Sequence, residues 1–446
     1  MVSKERARED GVVVVGAGVA GLAAARALRA DGVPVMLLEA GSRAGGRAWT
    51  SRPALLDGPF DEGAQWFHEA ERNPLAQLAE QCGEPVEEAF SGRARRIFVD
   101  GRPATPDEEA ALDRTWDGLD ARAEPLLAPG QPDVPLAAVF DAENPWSATV
   151  GAWEGAIIAA ADADRLSLRD WQLNRLEGRN LRVPGGLGAL VLRLLGGEVE
   201  LETPALAVRW AEPWGVSVET PRGTLRAGHC IMTVSTGVLA AGAIRFDPAL
   251  PSAVREAIHG LPMGLLSKVA LRAAGADRLG LPNDCLVINR IEPGQPAASL
   301  NCWGWGGDRA VAFVGGQAAW DLASAAPGTG EAFARGLLRR TFGARADGAF
   351  RPGAVETGWG TDPLFLGAYA YAPPGCSGMR AVLAEPVGDG RLLFAGEATR
   401  SDGLAGTAGG AFLAGTEAAA YCSSCSRATR KSRNTATRLL FRNSSG

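Results

Sequence analysis

The sequence predicts an α/β fold that begins with a parallel βαβ unit. A short β-branched run at 11–15 is typical of a buried strand, and the Ala- and Leu-rich segment 19–30 is typical of a helix. Gly32 is a plausible C-cap for that helix, and residues 33–38 predict the second strand. The chain has 446 residues, which is too long for one compact core and indicates two domains.

Further strands and helices are predicted along the rest of the chain. Residues 102–145 are rich in Pro, Ala, Asp and Glu and predict loops combined with solvated helices. Helices are predicted at 187–195, 330–342 and 407–421. Strands are predicted at 198–201, 205–210, 215–219, 224–233, 265–272, 285–290, 298–304, 310–315 and 391–395.

The composition argues against several classes of protein. The net charge of -6 and the pI near 5.4 disfavour a general binder of nucleic acid or of anionic membranes. No segment reaches the ~18 apolar residues of a membrane helix, and the charged N-terminus lacks the apolar stretch of a signal peptide, so a cytoplasmic location is expected. Three histidines and seven scattered cysteines predict neither a metal site nor a disulfide framework. Nothing in the sequence indicates an oligomeric state.

Both ends of the chain are expected to lie outside the folded core. Residues 1–10 are predicted to be a flexible N-terminus. Residues 422–446 are predicted to be a disordered basic tail, because six basic residues and no acidic residue follow Tyr421. A basic interaction arm is the alternative for this tail.

The glycines that follow the first strand predict a dinucleotide site. Gly16 permits a tight turn, Gly18 lets the backbone approach a pyrophosphate, and Gly21 lets the helix pack closely on the strand. The start of the helix offers free N–H groups and a partial positive charge to phosphates. Glu39 ends the second strand, where a carboxylate can accept ribose hydroxyls. A glycine-rich turn without a ligand is the alternative.

Later motifs resemble those of the flavin-containing amine oxidases, a family that includes monoamine oxidase, polyamine oxidase and the lysine-specific histone demethylases. The resemblance extends to about residue 421 and is greatest to the polyamine oxidase-like branch. The segments that carry it are 45–47, 61–66, 183–187, 233–239, 263–269, 359–363, 394–397 and 406–411.

This resemblance implies a discontinuous Rossmann-like FAD-binding domain and an α+β substrate-binding domain with a mixed sheet. The FAD-binding domain is expected to comprise 11–80, 196–260 and 385–421, and the substrate-binding domain 81–195 and 261–384. FAD is expected to bind non-covalently. In monoamine oxidase a cysteine precedes the cage tyrosine, whereas this chain has Ala368 there and Cys376 lies out of register.

The resemblance also assigns cofactor-binding residues. The implied contacts are Gly46 and Arg47 at the pyrophosphate, Gly63, Ala64, Gln65 and Trp66 along the flavin, Val208 at the adenine through its backbone, Trp359 near the flavin, Glu397 at the ribityl or phosphate region, and Thr407 and Ala408 at the start of a helix directed at the flavin. The alternatives are that Val208 is an ordinary strand valine and that Trp359 is a core residue.

Three residues are expected at the reacting centre. Lys268 is implied to hold a water against flavin N5, although a mid-strand lysine is ordinarily solvated. Tyr369 is implied to be a substrate-cage tyrosine, with a core tyrosine as the alternative. His68 is implied to lie on the substrate side, with a hydrogen-bonded loop histidine as the alternative.

The expected reaction is oxidation of an amine C–N bond by hydride transfer to flavin N5. The imine then gives an aldehyde and an amine, and O2 is reduced to H2O2. Thr407, His68, Glu69 and Glu71 favour a polyamine-type substrate. The alternatives are a monoamine or cyclic-amine oxidase, and less favoured are an amino-acid oxidase and a non-catalytic flavin-binding protein. Activity on histone peptides is not expected, because the chain has no room for the long helical insertion of histone demethylases and no domain before residue 11.

Overall fold

The computed structural model describes residues 7–89, 92–304 and 307–443, with side chains described from residue 10 to residue 427. Its strands are β1 (Ala7–Val15), β2 (Val35–Leu38), β3 (Thr50–Ser51), β4 (Phe60–Asp61), β5 (Trp66–Phe67), β6 (Glu87–Glu88), β7 (Ala94–Val99), β8 (Arg102–Pro103), β9 (Leu181–Arg182), β10 (Ala207–Glu212), β11 (Gly215–Thr220), β12 (Gly223–Met232), β13 (Arg245–Asp247), β14 (Met263–Gly264), β15 (Leu266–Arg272), β16 (Cys285–Asn289), β17 (Ala298–Cys302), β18 (Arg309–Gly315), β19 (Val355–Glu356), β20 (Tyr369–Ala370) and β21 (Leu392–Phe394).

Helices connect and cover these strands. A π-helix (Ala152–Ala159) follows α5, and short 3-10 helices occur at Leu136–Val139, Gly343–Ala346 and Glu397–Thr399. The α-helices are α1 (Val19–Ala30), α2 (Pro74–Gln81), α3 (Pro106–Asp117), α4 (Leu119–Leu127), α5 (Ser147–Gly151), α6 (Leu168–Leu173), α7 (Leu187–Leu195), α8 (Thr236–Ala240), α9 (Ser252–His259), α10 (Gln317–Ser324), α11 (Thr329–Phe342), α12 (Met379–Ala384) and α13 (Ala408–Asn443). No helix in the described residues is long and apolar enough to span a bilayer.

The first sheet contains the predicted βαβ unit. Its strand order is β13-β10-β11-β12-β1-β2, and β21 pairs with β12. β1 is parallel to both β2 and β12, so both of its edges are paired and it is a central strand. Val12 and Val14 enter a core shared with α1, α7 and α13, whereas Val13 and Val15 enter a core shared with α9 and α12. The β-branched run is therefore buried on both sides, as a central parallel strand requires.

The second sheet is mixed and has the order β19-β15-β18-β17-β16-β7-β8. β7 and β16 are parallel, whereas the other neighbouring strands are antiparallel. One of its cores includes α11, and the other includes residues of α3, α4 and α6. The two sheets match the two kinds of sheet that the sequence predicts.

One predicted strand is wrong. Residues 198–201 contribute only an isolated bridge between Leu38 and Glu200. The chain turns directly afterwards, where Glu202 has a positive φ of 50°. Pairing with the edge of β2 therefore stops after one residue.

The structure corrects the predictions for both ends of the chain. Residues 7–10 belong to β1, with Ala7 paired to Arg226, whereas 1–6 lie outside the described residues. α13 continues through 422–427, and Cys422, Ser423 and Ser426 are buried there. Predicted disorder is therefore wrong for 422–427, because this turn packs on the first core. The basic side chains beyond 427 lie outside the described residues.

Two segments pack differently from the predicted domain division. α7 was assigned to the substrate-binding domain, but Leu187, Leu190 and Val191 lie in the core shared with α1. α12 was also assigned there, but Leu383 lies beneath the first sheet. The rest of the division remains a prediction.

A buried ion pair joins the two halves. Asp170 of α6 accepts hydrogen bonds of 2.8 Å from both Nε and Nη2 of Arg380 in α12, and from the backbone N–H of Ala372 at 3.1 Å. Arg380 also donates to the carbonyls of Ala370 and Ala398. Asp170 is 3% exposed and Arg380 1%. Because Asp170 is the ion-pair partner of Arg380, removing the carboxylate leaves the guanidinium buried without that partner.

We expect Asp170→Ala to lower the free energy of unfolding by about 3–5 kcal/mol, because it leaves the Arg380 guanidinium buried and unpaired. Urea denaturation measures the loss. The matched control is Asp113→Ala, which breaks an exposed 2.7 Å pair with Arg95 and should cost at most about 1 kcal/mol. Similar losses in both variants would show that Asp170 is not a structural link.

Candidate functional site

A cavity of about 680 Å³ lies between the two sheets. Val15 and Leu38, at the carboxyl ends of β1 and β2, line one end, as expected for a ligand crevice of a parallel sheet. Lys268 and Phe313 of the second sheet line the other side. The predicted site residues on its wall are Gly16, Gly18, Glu39, Gly46, Arg47, Gly63, Ala64, Gln65, Trp66, His68, Lys268, Trp359, Tyr369, Glu397, Thr407 and Ala408.

Three glycines shape the β1–α1 turn. Gly16 has a φ of 101°, which favours glycine. A Cβ on Gly21 would lie 1.9 Å from the carbonyl oxygen of Gly16, so the helix can pack on the turn only without a side chain. A Cβ on Gly18 would meet no atom closer than 4.0 Å, and Gly18 faces the cavity. Gly21 itself packs behind the wall, as its predicted role requires.

The start of α1 is suited to an anion. The first N–H groups of a helix have no intrahelical acceptor, and at the N-cap Gly18 no side chain caps them. Glu39 lies beside this turn, and its carboxylate accepts 2.8 Å hydrogen bonds from the N–H groups of Ala17 and Gly41. Each oxygen keeps a lone pair for a hydroxyl, which fits the ribose contact predicted for Glu39.

The structure does not place Val208 on the cavity wall, and its implied backbone contact with adenine stays a prediction. Val208 is fully buried within β10 and does not reach the cavity. Ala205 and Leu206, which precede β10, line the cavity instead. The sequence pattern predicts the strand β10, but it does not predict that the segment directly before β10 is the part that lines the cavity. Leu206 is 48% exposed and Leu364 39%, and both face the cavity, which leaves apolar surface for a flat ring such as adenine.

Arg47 and Glu397 form one unit. Nη1 of Arg47 lies 2.9 Å from Oε1 of Glu397 and 2.7 Å from the carbonyl oxygen of Ala368. Glu397 also accepts a hydrogen bond of 3.1 Å from the N–H of Ala370. The sequence predicts separate cofactor contacts for the two residues, whereas the structure pairs them. The side chain of Arg47 remains 24% exposed, so its guanidinium can still face a phosphate.

Lys268 lies buried in the middle of β15, with an exposed fraction of 3%. Its ammonium donates to the carbonyls of Asp61 at 2.7 Å and Gly63 at 2.8 Å, and to Oε1 of Gln65 at 3.0 Å. Burial lowers the pKa of Lys268 to about 8, although Asp61 and Glu62 oppose this shift. All three N–H groups of the Lys268 ammonium donate to these acceptors. The predicted hydrogen bond from Lys268 to a water therefore requires one acceptor, such as Gln65, to give up its bond.

Aromatic rings flank this ammonium. Trp66 and Phe313 are stacked with ring centroids 5.9 Å apart, and Nζ of Lys268 lies 5.9 and 5.4 Å from these two centroids. Trp359 donates to the carbonyl of Glu62 at 3.0 Å. A Cβ on Gly63 would lie only 1.8 Å from the carbonyl oxygen of Arg47. The segment 62–66 is therefore held tightly as one wall of the cavity.

Tyr369 is held by the π-helix. Its hydroxyl donates to the carbonyl of Ile158 at 2.9 Å, and burial raises its pKa. The backbone of Gly406 lies against the ring, since a Cβ there would be 3.4 Å from it. Thr407 then caps α13, accepting from the N–H of Gly410 at 2.9 Å. The positive end of α13 therefore faces the cavity beside Tyr369, as the sequence predicts.

His68 is hydrogen-bonded and also faces the cavity, and its place on the substrate side stays a prediction. Its Nδ1 lies 2.5 Å from Oδ1 of Asn180, and its side chain also lines the cavity. Burial lowers the pKa of His68, which favours the neutral imidazole.

The predicted use of Glu69 and Glu71 for a cationic substrate is wrong. Neither residue lines the cavity, and they are bonded to Arg72 and Arg179. Their carboxylates therefore serve local structure.

A different carboxylate on the cavity wall was missed. Glu154 lies on the π-helix, and its two oxygens accept indole N–H bonds from Trp116 at 2.9 Å and Trp171 at 3.0 Å. Burial raises the pKa of Glu154, while these hydrogen bonds lower it. The tryptophans at 116 and 171 are the sequence signal that could have indicated Glu154, because each buried indole N–H needs an acceptor.

Comparison with protein families places the chain among flavoenzymes. The model of the family described as flavin containing amine oxidoreductase matches residues 19–130 and 130–423. Lysine-specific histone demethylase 1 homolog 3 of Oryza sativa subsp. japonica is 31% identical, over 94% of this chain and 54% of that protein. FLOWERING LOCUS D of Arabidopsis thaliana is 30% identical, over 94% and 56%. The chain thus spans about half the length of these relatives. Polyamine oxidase 4 of the same Oryza subspecies is 28% identical, over 94% and 90%.

Solved structures show the same fold. Cyclohexylamine oxidase from Brevibacterium oxydans superposes with a TM-score of 0.75 at 24% identity, covering 93% of this chain and 98% of that one. Putrescine oxidase bound to putrescine gives 0.74 at 22% identity, covering 94% and 99%. The predicted family and fold class are confirmed. The polyamine oxidase-like branch is not favoured by identity, since the demethylase homologue is 31% identical and the polyamine oxidase 28%.

We expect Gly18→Ala and Gly21→Ala to have opposite consequences. A methyl group at position 18 enters the cavity where the pyrophosphate is expected, so FAD affinity should fall about tenfold or more while the fold is kept. A methyl group at position 21 overlaps the Gly16 carbonyl and should cost at least about 2 kcal/mol of stability.

FAD titration and thermal unfolding of the apoprotein separate the two effects. Gly185→Ala is the control, because a Cβ at that position meets no atom within 4 Å. Unchanged FAD affinity in Gly18→Ala would contradict the placement of the pyrophosphate.

Proposed function

The chain belongs to the flavin-containing amine oxidoreductase family with FAD as its cofactor, and on that premise we propose that it oxidises the C–N bond of an amine held beside Tyr369 and Lys268. The buried Lys268 ammonium, opposite the positive end of α13, is the observation that supports this most strongly. When bound, FAD supplies a two-electron acceptor for the amine α-carbon and a route for those electrons to O2, with H2O2 as the product.

The geometry of the cavity fits FAD from end to end. The uncapped start of α1 and the Arg47 guanidinium can hold the pyrophosphate, and Glu39 the ribose. The wall at 62–66 can hold the isoalloxazine ring. Non-covalent binding is supported by Cys376, which packs beneath the first sheet and does not line the cavity.

The protein's own groups orient the amine and set its charge state. The fixed Tyr369 ring offers a face against which a neutral amine can lie, while the Lys268 cation disfavours an ammonium close to it. The same cation stabilises negative charge that develops on a nearby acceptor. The released imine hydrolyses to an aldehyde and a smaller amine.

A small di- or polyamine is the favoured substrate class, because the cavity wall carries a carboxylate beyond Tyr369. A methylated lysine side chain is the second candidate, since lysine-specific histone demethylase 1 homolog 3 of Oryza sativa subsp. japonica is 31% identical to this chain over 460 aligned residues.

An amine panel tests the activity directly. We expect the purified protein to be yellow and to release H2O2 with at least one of spermidine, putrescine, cyclohexylamine or benzylamine, and a dimethyl-lysine peptide forms the second arm. Anaerobic bleaching of the flavin by the same amine excludes an artefact of the peroxide assay. A protein that no amine bleaches would be a flavin-binding protein without amine turnover.

The pH dependence should report on Lys268. The substrate must lose a proton of pKa near ~10, so kcat/KM rises with pH. Because Lys268 has a pKa of about 8, its charge is present below that pH and is lost above it. The rise in kcat/KM should therefore flatten near pH 8 in the wild type.

Lys268→Met removes that titration. Its kcat/KM should be at least about 100-fold lower at pH 7, and should keep rising up to the pKa of the amine. Steady-state profiles between pH 6 and 10 for both proteins measure this. Equal rates and equal shapes would contradict the role of the ammonium.

A further inference from the structure

A buried acid, Asp61, supplies one of the three acceptors of the Lys268 ammonium. Its backbone carbonyl accepts the 2.7 Å hydrogen bond from Nζ, and the residue is 6% exposed. Asp61 does not line the cavity between the two sheets. The same residue therefore contacts the ammonium through its backbone and carries an acid that solvent screens little.

The start of α7 holds this carboxylate. The N-cap of α7 is Gly186, which offers no side-chain acceptor. Asp61 takes that place, because Oδ2 accepts from the N–H of Leu187 at 3.0 Å and Oδ1 from that of Gly188 at 3.4 Å. The hydroxyl of Thr50 donates to Oδ1 at 2.5 Å. These donors and the positive end of the helix both favour the ionised carboxylate.

Close packing keeps α7, β3 and β4 together. Thr50 is the cross-strand partner of Asp61, and its hydroxyl accepts from the N–H of Ala189 at 2.9 Å. A Cβ on Gly188 would lie only 2.5 Å from the backbone nitrogen of Thr50, so α7 begins directly against β3. The carboxylate cannot move without disturbing these elements, and its position relative to Lys268 is thereby fixed.

Three charged side chains act on Lys268, namely those of Asp61, Glu62 and Arg309. Burial lowers the pKa of Lys268 to about 8, and among the charges Asp61 raises this pKa most, Glu62 raises it less and Arg309 lowers it. Burial raises the pKa of Asp61, whereas its hydrogen bonds to Thr50 and α7 and the charge of Lys268 lower it. Glu62 is half-buried and lines the cavity, so Asp61 is the better shielded of the two acids.

We propose that Asp61 is a positioning residue that keeps the Lys268 side chain charged and its ammonium fixed against the wall at 62–66. The role of Lys268 in turnover rests on the amine oxidase activity proposed above, whereas the coupling between the two side chains does not. The first turn of α7 shares in this role, because it holds the carboxylate in place. Without that carboxylate, the buried ammonium contacts only neutral acceptors, which compensate its charge less well.

Lysine NMR of the FAD-bound protein tests the coupling directly. The chain has three lysines, Lys4, Lys268 and Lys431, so 13Cε-labelled lysine gives three signals, and Lys268→Met identifies the signal of Lys268. We expect the wild-type ammonium to titrate with a pKa of about 8. In Asp61→Asn this pKa should fall by at least about one pH unit, because a nearby negative charge is lost while the amide oxygen can still accept from α7.

Asp57→Asn is the matched control. Asp57 lies in the same segment as Asp61, but its side chain is 78% exposed and lies 3.7 Å from Arg272. Its removal should leave the pKa of Lys268 within about 0.3 of the wild-type value, because solvent screens an exposed charge. An unchanged pKa in Asp61→Asn would overturn the proposal, since the carboxylate would then be protonated or too distant to act.

The pH profile of turnover gives a second readout. The pH at which the rise in kcat/KM flattens should fall in Asp61→Asn by the same amount as the pKa of Lys268. Asp61→Glu restores the charge and should return that pH toward the wild-type value. A lower rate with an unshifted profile would assign Asp61 a structural role alone and overturn the proposal.

A double change keeps the test valid if Asp61→Asn folds poorly. Asp61→Asn combined with Lys268→Met removes both charges, so thermal unfolding should show a smaller loss than the sum of the two single losses. Additive losses would show that the two side chains are not coupled. If the pKa shifts as expected but no amine reduces the flavin, the coupling stands and the proposed function fails.

Discussion

The buried Lys268 ammonium is the interaction on which the arrangement of the cavity depends. A cation inside a protein is costly unless acceptors surround it, and here the acceptors all come from one segment, at Asp61, Gly63 and Gln65. The second sheet is thereby fixed to the wall at 62–66, where the flavin is proposed to lie. Only three of the 45 basic residues in the chain are lysines and the others are arginines. A lysine rather than an arginine at position 268 is therefore not explained by the overall composition. A compact ammonium fits three converging acceptors, whereas a planar guanidinium does not.

Close backbone contacts determine the remaining geometry of the cofactor end. Gly21 and Gly63 each lie where a Cβ would come within 2 Å of a carbonyl oxygen, so neither the α1 turn nor the 62–66 wall tolerates a side chain there. The charged groups nearby are neutralised in advance, since Arg47 is paired with Glu397 and Asp170 with Arg380. The cofactor end of the cavity therefore combines rigid walls with two compensated ion pairs.

Features that depend on local sequence could be predicted, and features that depend on long-range packing could not. The βαβ unit, α7 and β15 with Lys268 follow from glycine spacing and hydrophobic periodicity, which act over a few residues. The lining by Ala205 and Leu206 rather than Val208 could not be predicted, because strand alternation does not reveal which end of a strand meets the cavity. Glu69 and Glu71 failed because nearness to His68 in sequence says nothing of Arg72 and Arg179, which bind them. Glu154 escaped notice because its indole partners lie 38 and 17 residues away.

The charge and the ring at the reacting end of the cavity act in different ways. Lys268 is a cation, so it would repel an ammonium placed beside it, and the proposed amine would bind there in its neutral form. Tyr369 is positioned by the backbone, because its hydroxyl donates to the Ile158 carbonyl of the π-helix. The ring therefore sets the position of the proposed amine, whereas Lys268 sets its charge state.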